Sequence, residues 1–249
     1  MKRLATARVA CAWMTMYLGC VSIAHAQQPA EPDKRWSVEV GVGFDNSISG
    51  NINSSAIGTL DGQTVVITKN SYEDVYGTGL HLRFGGGYML TDVTELRVIF
   101  AFQSLDADLT PMGDLAGASL YAQYDDYQAF TMDFGYRRYH EVAESVQTYG
   151  EGSIGFGFVD ATDVRIVAPE TGLDFKTDFF DQTAAFTIGV NGGVMVRITD
   201  TFDGFVQLGF RYVTGQGKVD ETFGTGLESI NDNTARWTIP FVVGVRARF

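Results

Sequence analysis

Eleven charged side chains in this 249-residue chain are spaced so that they could share one enclosed space. Counted along alternating segments, Glu39, Arg83, Arg97, Asp133, Arg137, Glu151, Arg197, Asp203, Arg211, Arg246 and Arg248 fall on one parity, together with Gly41, Gly85, Gly135, Gly155 and Gly209. Seven arginines and four acids in a narrow, low-dielectric interior would be costly if left unpaired. The first expectation is therefore a salt-bridged, hydrated plug that fixes strand register, in which Glu39, Asp133 and Glu151 pair with Arg83, Arg97, Arg137 or Arg246. The competing chemistry is a narrow, anion-tolerant pore gated by the same pairs.

Other chemistry finds less support. Beyond residue 26 the histidines are His81 and His140. His81 shares the inward parity but is followed by Leu82 and Arg83, with no serine two residues on. His140 precedes Ser145 at a short turn, so no base is set beside a nucleophile, and no catalytic residue is expected. No histidine pair has ligand spacing, and the two cysteines, Cys11 and Cys20, lie near the N-terminus, so neither a metal nor a cofactor is expected. Four long connections hold nineteen Asp or Glu against four Lys or Arg, with Asp106, Asp108, Asp114, Asp125 and Asp126 crowded into one of them. They lack the spacing of an EF-hand, and solvation accounts for the charge. The formal charge of −12 argues against a nucleic-acid partner.

The elements that must position the charged set read as strands. Trp237, Ile239, Phe241, Val243, Val245, Ala247 and Phe249 alternate with Arg236, Thr238, Pro240, Val242, Gly244, Arg246 and Arg248, one greasy face against one that is not. The same alternation marks segments near 36–44, 76–90, 94–104, 127–140, 146–158, 186–196 and 202–212. That makes eight strands, an even number, as a closed antiparallel barrel requires, and an eight-stranded interior is just filled by side chains. The connections alternate between short turns, at Thr91–Val93, Glu141–Ser145 and Thr199–Asp200, and long loops near 45–75, 105–126, 159–182 and 215–235. Short turns at one rim and long loops at the other are the pattern of a transmembrane barrel.

Polarity decides which face looks at lipid. An arginine turned outward at mid-membrane costs about 2–4 kcal/mol, so the charged parity is expected inside and the apolar parity outside. Trp36, Tyr88, Tyr136 and Phe249 at the short-turn rim, and Phe44, Tyr127, Tyr212 and Trp237 at the long-loop rim, would form two interfacial girdles. At the N-terminus, Lys2, Arg3 and Arg8 precede a mostly apolar stretch and then Ala24-His25-Ala26, which reads as a signal peptide over 1–26 cleaved ahead of a barrel domain over 27–249. Removing it takes both cysteines and brings the charge to −15.

With these features in place, the chain resembles the OmpA-like, OmpX-like and OmpW-like small barrels of Gram-negative outer membranes. The ending Gly244-Val245-Arg246-Ala247-Arg248-Phe249 is similar to the C-terminal signal read by the barrel-assembly machinery, with Gly244, Ala247 and the terminal Phe249 as its carriers and Val242 as a departure where a polar residue is common. The resemblance implies an integral outer-membrane protein with long loops extracellular and both mature termini periplasmic. It implies contact with outer-membrane lipid and lipopolysaccharide, and either a structural or surface-interaction role or a narrow porin-like channel, as in OmpW-like proteins. Two loops carry strand signals of their own: Ser55–Leu60 and Gln63–Thr68 flank Asp61-Gly62, and Val164–Ala168 and Leu173–Thr177 flank a Pro-Glu-Thr-Gly turn. Such hairpins would rise above the membrane, where their edges could pair with a strand of a surface ligand or host partner.

Overall fold

The computed structural model describes residues 34–60, 62–219 and 225–249; the expected signal peptide and Asp61 lie outside the described residues. Eight strands close into one antiparallel barrel: β1 (Trp36–Ser49), β4 (Gly79–Thr91), β5 (Thr94–Leu105), β8 (Tyr127–Ala143), β9 (Val146–Val159), β12 (Thr183–Arg197), β13 (Phe202–Val213) and β15 (Arg236–Arg248). Each pairs with its neighbours in this order, and β1 closes on β15 from Ser37↔Arg248 to Ser49↔Trp237. The expected strands are all present, several running a few residues further into the connections.

The two faces sort as the alternation requires. Val38, Val40, Val42 and Phe44 of β1, Leu82 and Phe84 of β4, and Phe186, Ile188 and Val190 of β12 are exposed on the outside, whereas Glu39, Arg83 and Thr187 on the same strands are buried. A wall this greasy is stable against hydrocarbon, where closure also satisfies every strand edge. Trp36 packs on Tyr88 at 4.8 Å near the short-turn rim, and Trp237 lies 4.9 Å from Phe210 and 4.8 Å from Tyr212 near the other. Tyr127 does not join that girdle. Its parity is that of Asp133, so its ring turns inward, where the Arg236 guanidinium stacks on it at 4.0 Å.

The long connections are more ordered than their sequence announces. The two expected hairpins form as β2 (Ala56–Leu60) with β3 (Gln63–Ile67), and β10 (Thr162–Ala168) with β11 (Leu173–Asp181). A third, β6 (Thr110–Leu115) with β7 (Ala118–Tyr124), lies in a connection whose alternation is interrupted by a register shift between Pro111 and Gly113. With the two-residue β14 (Gly217–Lys218) these make a second, seven-stranded sheet in the order β14-β11-β10-β7-β6-β3-β2.

This sheet forms a cap with an apolar core. Val65 and Ile67 of β3, Leu120 and Ala122 of β7, and Val164 and Ile166 of β10 point inward and join Phe179, Leu227 and Ile230, and the cluster continues into Leu105, Tyr127, Ala129, Val159 and Val213 at the barrel mouth. A single helical turn, α1 (Tyr72–Val75), precedes β4 and adds Tyr72 and Val75 to that core; the strand expected from residue 76 begins only at Gly79. Ser71 starts the turn with a reciprocal capping box: its hydroxyl accepts from the Asp74 amide and the Asp74 carboxylate accepts from the Ser71 amide. The expectation of free hairpin edges is corrected here, because β3 pairs with β6, β7 with β10 and β11 with β14. Mutual pairing satisfies the backbone groups that a protruding hairpin would otherwise expose.

Candidate functional site

The inward side chains of five strands converge on one ion cluster. Glu39 (β1) and Glu151 (β9) supply the carboxylates, and Arg83 (β4), Arg97 (β5) and Arg137 (β8) the guanidinium groups. Arg83 Nη2 donates to Glu39 Oε1 at 2.8 Å, and Arg97 is paired with Glu39 and, at 2.5 Å, with Glu151. Arg137 reaches both acids, Glu39 at 3.2 Å and Glu151 at 2.8 Å, while lying 4.0 Å over the Tyr149 ring. Asn191 on the adjacent β12 donates its amide to Glu151 at 3.1 Å, and Gln207 on β13 accepts through its amide oxygen from the Tyr149 hydroxyl at 3.1 Å and, from across the barrel, from Arg137 at 3.4 Å. The network thus crosses the lumen.

Further groups fill the lumen on either side. Toward the short-turn rim, Glu95 accepts from Arg246 at 2.8 Å, from Ser37 at 2.5 Å and from the Tyr139 hydroxyl. An apolar layer of Tyr139, Tyr149, Met195, Phe205 and Val242 packs beside it. Val242 is therefore apolar because it faces this layer, which accounts for its departure from the common C-terminal signal. Toward the cap, Asp133 accepts from Arg211 at 2.8 Å and from Thr187 at 2.5 Å. At the mouth, Asp45 accepts from Gln103 at 2.6 Å and stands 3.7 Å from Arg236. Between the Asp133 pair and the central cluster lies a cavity of about 30 Å³ lined by residues including His81, Arg83, Asn191 and Arg211, a volume on the scale of bound water.

Nine of the eleven expected lumen residues are buried in this interior, and two need correction. Arg197 has the inward parity but is exposed, because it pairs with Asp203 at the last step of β12 before the turn and its side chain leaves the lumen at the rim. Arg248 is only half-buried there, with Nε 2.9 Å from Asp203 Oδ2. The expected excess of positive charge also disappears. Glu95, Asp45 and Arg236 are buried inside as well, which leaves six arginines and six carboxylates buried among the described lumen residues. Glu95 shares the parity of Arg97, and Asp45 belongs to a part of β1 whose sequence reads as loop.

Outside the barrel, burial raises the hydroxyls of Tyr72, Tyr76 and Tyr124 well above the ordinary tyrosine range. The Ser71 hydroxyl and amide hold the Asp74 carboxyl below its ordinary range. An open cleft of about 330 Å³ at the foot of the cap is lined by Asp125, Asp126, Gln128, Asp160 and Ala161, with Asp125 already bridged to Lys176 at 3.1 Å. Among the described residues no three His, Cys, Asp or Glu side chains converge to hold a metal ion. His81 is buried with Nδ1 3.3 Å from Gln103, and His140 is exposed beyond the barrel interior.

A closed antiparallel barrel of eight strands, greasy outside and ion-paired within, has the architecture of the small outer-membrane barrels. No family model and no curated protein matches the chain. Among solved structures it is similar to Neisserial surface protein A, at 12% identity over 86% of this chain and 97% of that one, with a TM-score of 0.45. It is also similar to a major outer membrane protein from Thermus thermophilus, at 15% identity over 87% and 99%, TM-score 0.49, and to the outer membrane protease OmpT from Escherichia coli, at 10% identity over 90% and 99%, TM-score 0.44.

Proposed function

We propose that this protein is a non-conducting, non-enzymatic outer-membrane barrel that holds a folded β-cap at the cell surface for contact with a surface ligand or host partner. The observation that carries this reading is the ion cluster of Glu39, Glu151, Arg83, Arg97 and Arg137, which crosses the lumen beneath an apolar-cored cap. A conducting path would have to break pairs that are buried in the lumen, and removing one partner of a buried pair costs about 3–5 kcal/mol. In this reading the cap is extracellular, both mature termini are periplasmic, and the outer belt meets lipid and lipopolysaccharide. Gly244, Ala247 and Phe249 form the ending read by the barrel-assembly machinery; the Phe249 ring is exposed while its backbone pairs with Trp36.

Planar-bilayer recording of the refolded protein tests the closed lumen: discrete openings in the wild type would overturn it. The contact role is tested by removing the hairpin tips at 61–62 and 169–172, which should abolish attachment to cells while leaving the barrel folded. Unaltered attachment would exclude the tips as the contact.

A further inference from the structure

The ion pairs inside the barrel leave one positive charge over. Arg211 is matched by Asp133, Arg236 by Asp45 and Arg246 by Glu95, one acid to each arginine. The central cluster instead sets three arginines, Arg83, Arg97 and Arg137, against two carboxylates, Glu39 and Glu151. Glu95 also reaches Arg97 at 3.7 Å, which shares the deficit without removing it. The sixth buried carboxylate, Asp203, stands at the start of β13 by the short-turn rim, where it pairs with the half-buried Arg248 at 2.9 Å. A buried cation short of a counter-charge is costly.

The cavity of about 30 Å³ adjoins that excess, and the donors on its lining are not used up. Arg83 donates through Nη2 to Glu39, and its buried Nε has no partner among the described residues. Among the same residues Arg211 donates only through Nη2, to Asp133 and Thr131. His81 supplies a third donor. The Gln103 side-chain nitrogen, which donates to Asp45 at 2.6 Å, lies 3.3 Å from His81 Nδ1; an amide NH₂ can only donate, so Nδ1 accepts and the ring proton sits on Nε2. The acids on the lining are already engaged: Glu151 accepts from Arg97, Arg137 and Asn191, and Asp133 from Arg211 and Thr187.

We propose that this cavity binds one halide ion, which completes the charge balance of the plug and accepts hydrogen bonds from Arg83, Arg211 and His81 Nε2. The volume suits an occupant of water's size. A bare halide is of that size, whereas sulfate, phosphate and carboxylate-bearing solutes are larger. A water molecule would satisfy the donors but leave the third arginine of the central cluster uncompensated, and a metal cation would add to the excess. The ion is a resident part of the plug and requires no open path through the lumen.

The test refolds the full chain into lipid vesicles at fixed ionic strength, with sodium sulfate replaced stepwise by sodium chloride, so that the ion is offered before the lumen closes. One ion bound to the folded state alone should raise the folding equilibrium constant, read from urea unfolding, about tenfold for each tenfold rise in chloride above its dissociation constant. Sulfate is the salt that generally strengthens burial, so a non-specific salt effect has the opposite sign. Arg83→Gln removes the excess cation, and Ser153→Asp sets a carboxylate on the cavity lining; each should lose the chloride response. Crystals grown in bromide should show its anomalous signal within hydrogen-bond reach of Arg83 and Arg211. A wild-type midpoint indifferent to chloride, a response that persists in either variant that folds, or water alone at the site in the bromide crystals would overturn the halide. Neither conductance nor attachment to cells enters these measurements, so their outcome is separate from that of the sealed-lumen and contact readings.

Discussion

Arg137 and Glu151 stand directly opposite each other across β8 and β9, and the pair is closed by a 2.8 Å contact between Nη2 and Oε2 with both side chains wholly buried. Glu151 also serves Arg97, so it compensates two cations at once. Glu151→Ala should therefore destabilise the barrel by about 3–5 kcal/mol, because it strands buried charge rather than merely deleting a contact. The urea unfolding midpoint in lipid vesicles measures this. Asp174→Ala, which breaks the exposed Arg165–Asp174 pair on the cap, is the control and should leave the midpoint unmoved. An unmoved midpoint for Glu151→Ala would show that the central cluster does not hold the wall.

The orientation of the wall makes a separate prediction. Val190 lies in the middle of β12 on the outer face and Val196 on the same face near the short-turn rim. Val190→Arg should cost about 2–4 kcal/mol and Val196→Arg about 0–1 kcal/mol, following the depth dependence of charge on a lipid-facing strand. Refolding yield and unfolding free energy in vesicles would show the gradient; equal costs at the two depths would mean that the belt is not in hydrocarbon.

Most of the barrel was legible because alternation has a period of two and survives without knowledge of any partner. Parity alone placed Glu39, Arg83, Arg97, Arg137 and Glu151 on one face, and closure then forced them together. It failed where strands end. Arg197 obeys the same parity as Arg246, yet it leaves the lumen because the wall stops there. The cap was legible only in its hairpins, since which hairpin pairs with which is a long-range choice that short segments do not encode. Replacing Arg246 by Ala should accordingly destabilise the barrel, while Arg197→Ala should be silent in the same unfolding assay.

The capping box on α1 gives the cap a pH dependence. The Asp74 carboxyl is held below its ordinary range chiefly by the Ser71 side chain and then by the Ser71 amide, so its contribution is complete above the unfolded aspartate range and is lost as pH falls through the lowered value. Amide exchange in residues 71–76 should accelerate on acidification in the wild type. Ser71→Ala should remove that step and cost about 0.5–2 kcal/mol locally. A wild-type exchange profile flat across the acid range would dissociate the turn from the Asp74 charge.

The pair near the mouth allows the worth of a lumen ion pair to be separated from the cost of burying its members. Arg211 donates to Asp133 at 2.8 Å and to the Thr131 hydroxyl at 2.7 Å, while Asp133 keeps the Thr187 hydroxyl at 2.5 Å. Arg211→Met leaves the Asp133 carboxylate with hydroxyl partners only, and Asp133→Leu leaves Arg211 with Thr131; each single change should be destabilising. The double variant removes both charges and replaces them with apolar volume, a substitution that is often neutral for buried pairs. The cycle should thus return a coupling of about 0.5–3 kcal/mol, with the double variant more stable than the worse single one. Strict additivity would mean that these charges are screened by water in the lumen, and the plug would then have to be assigned to the Glu39–Glu151 cluster alone.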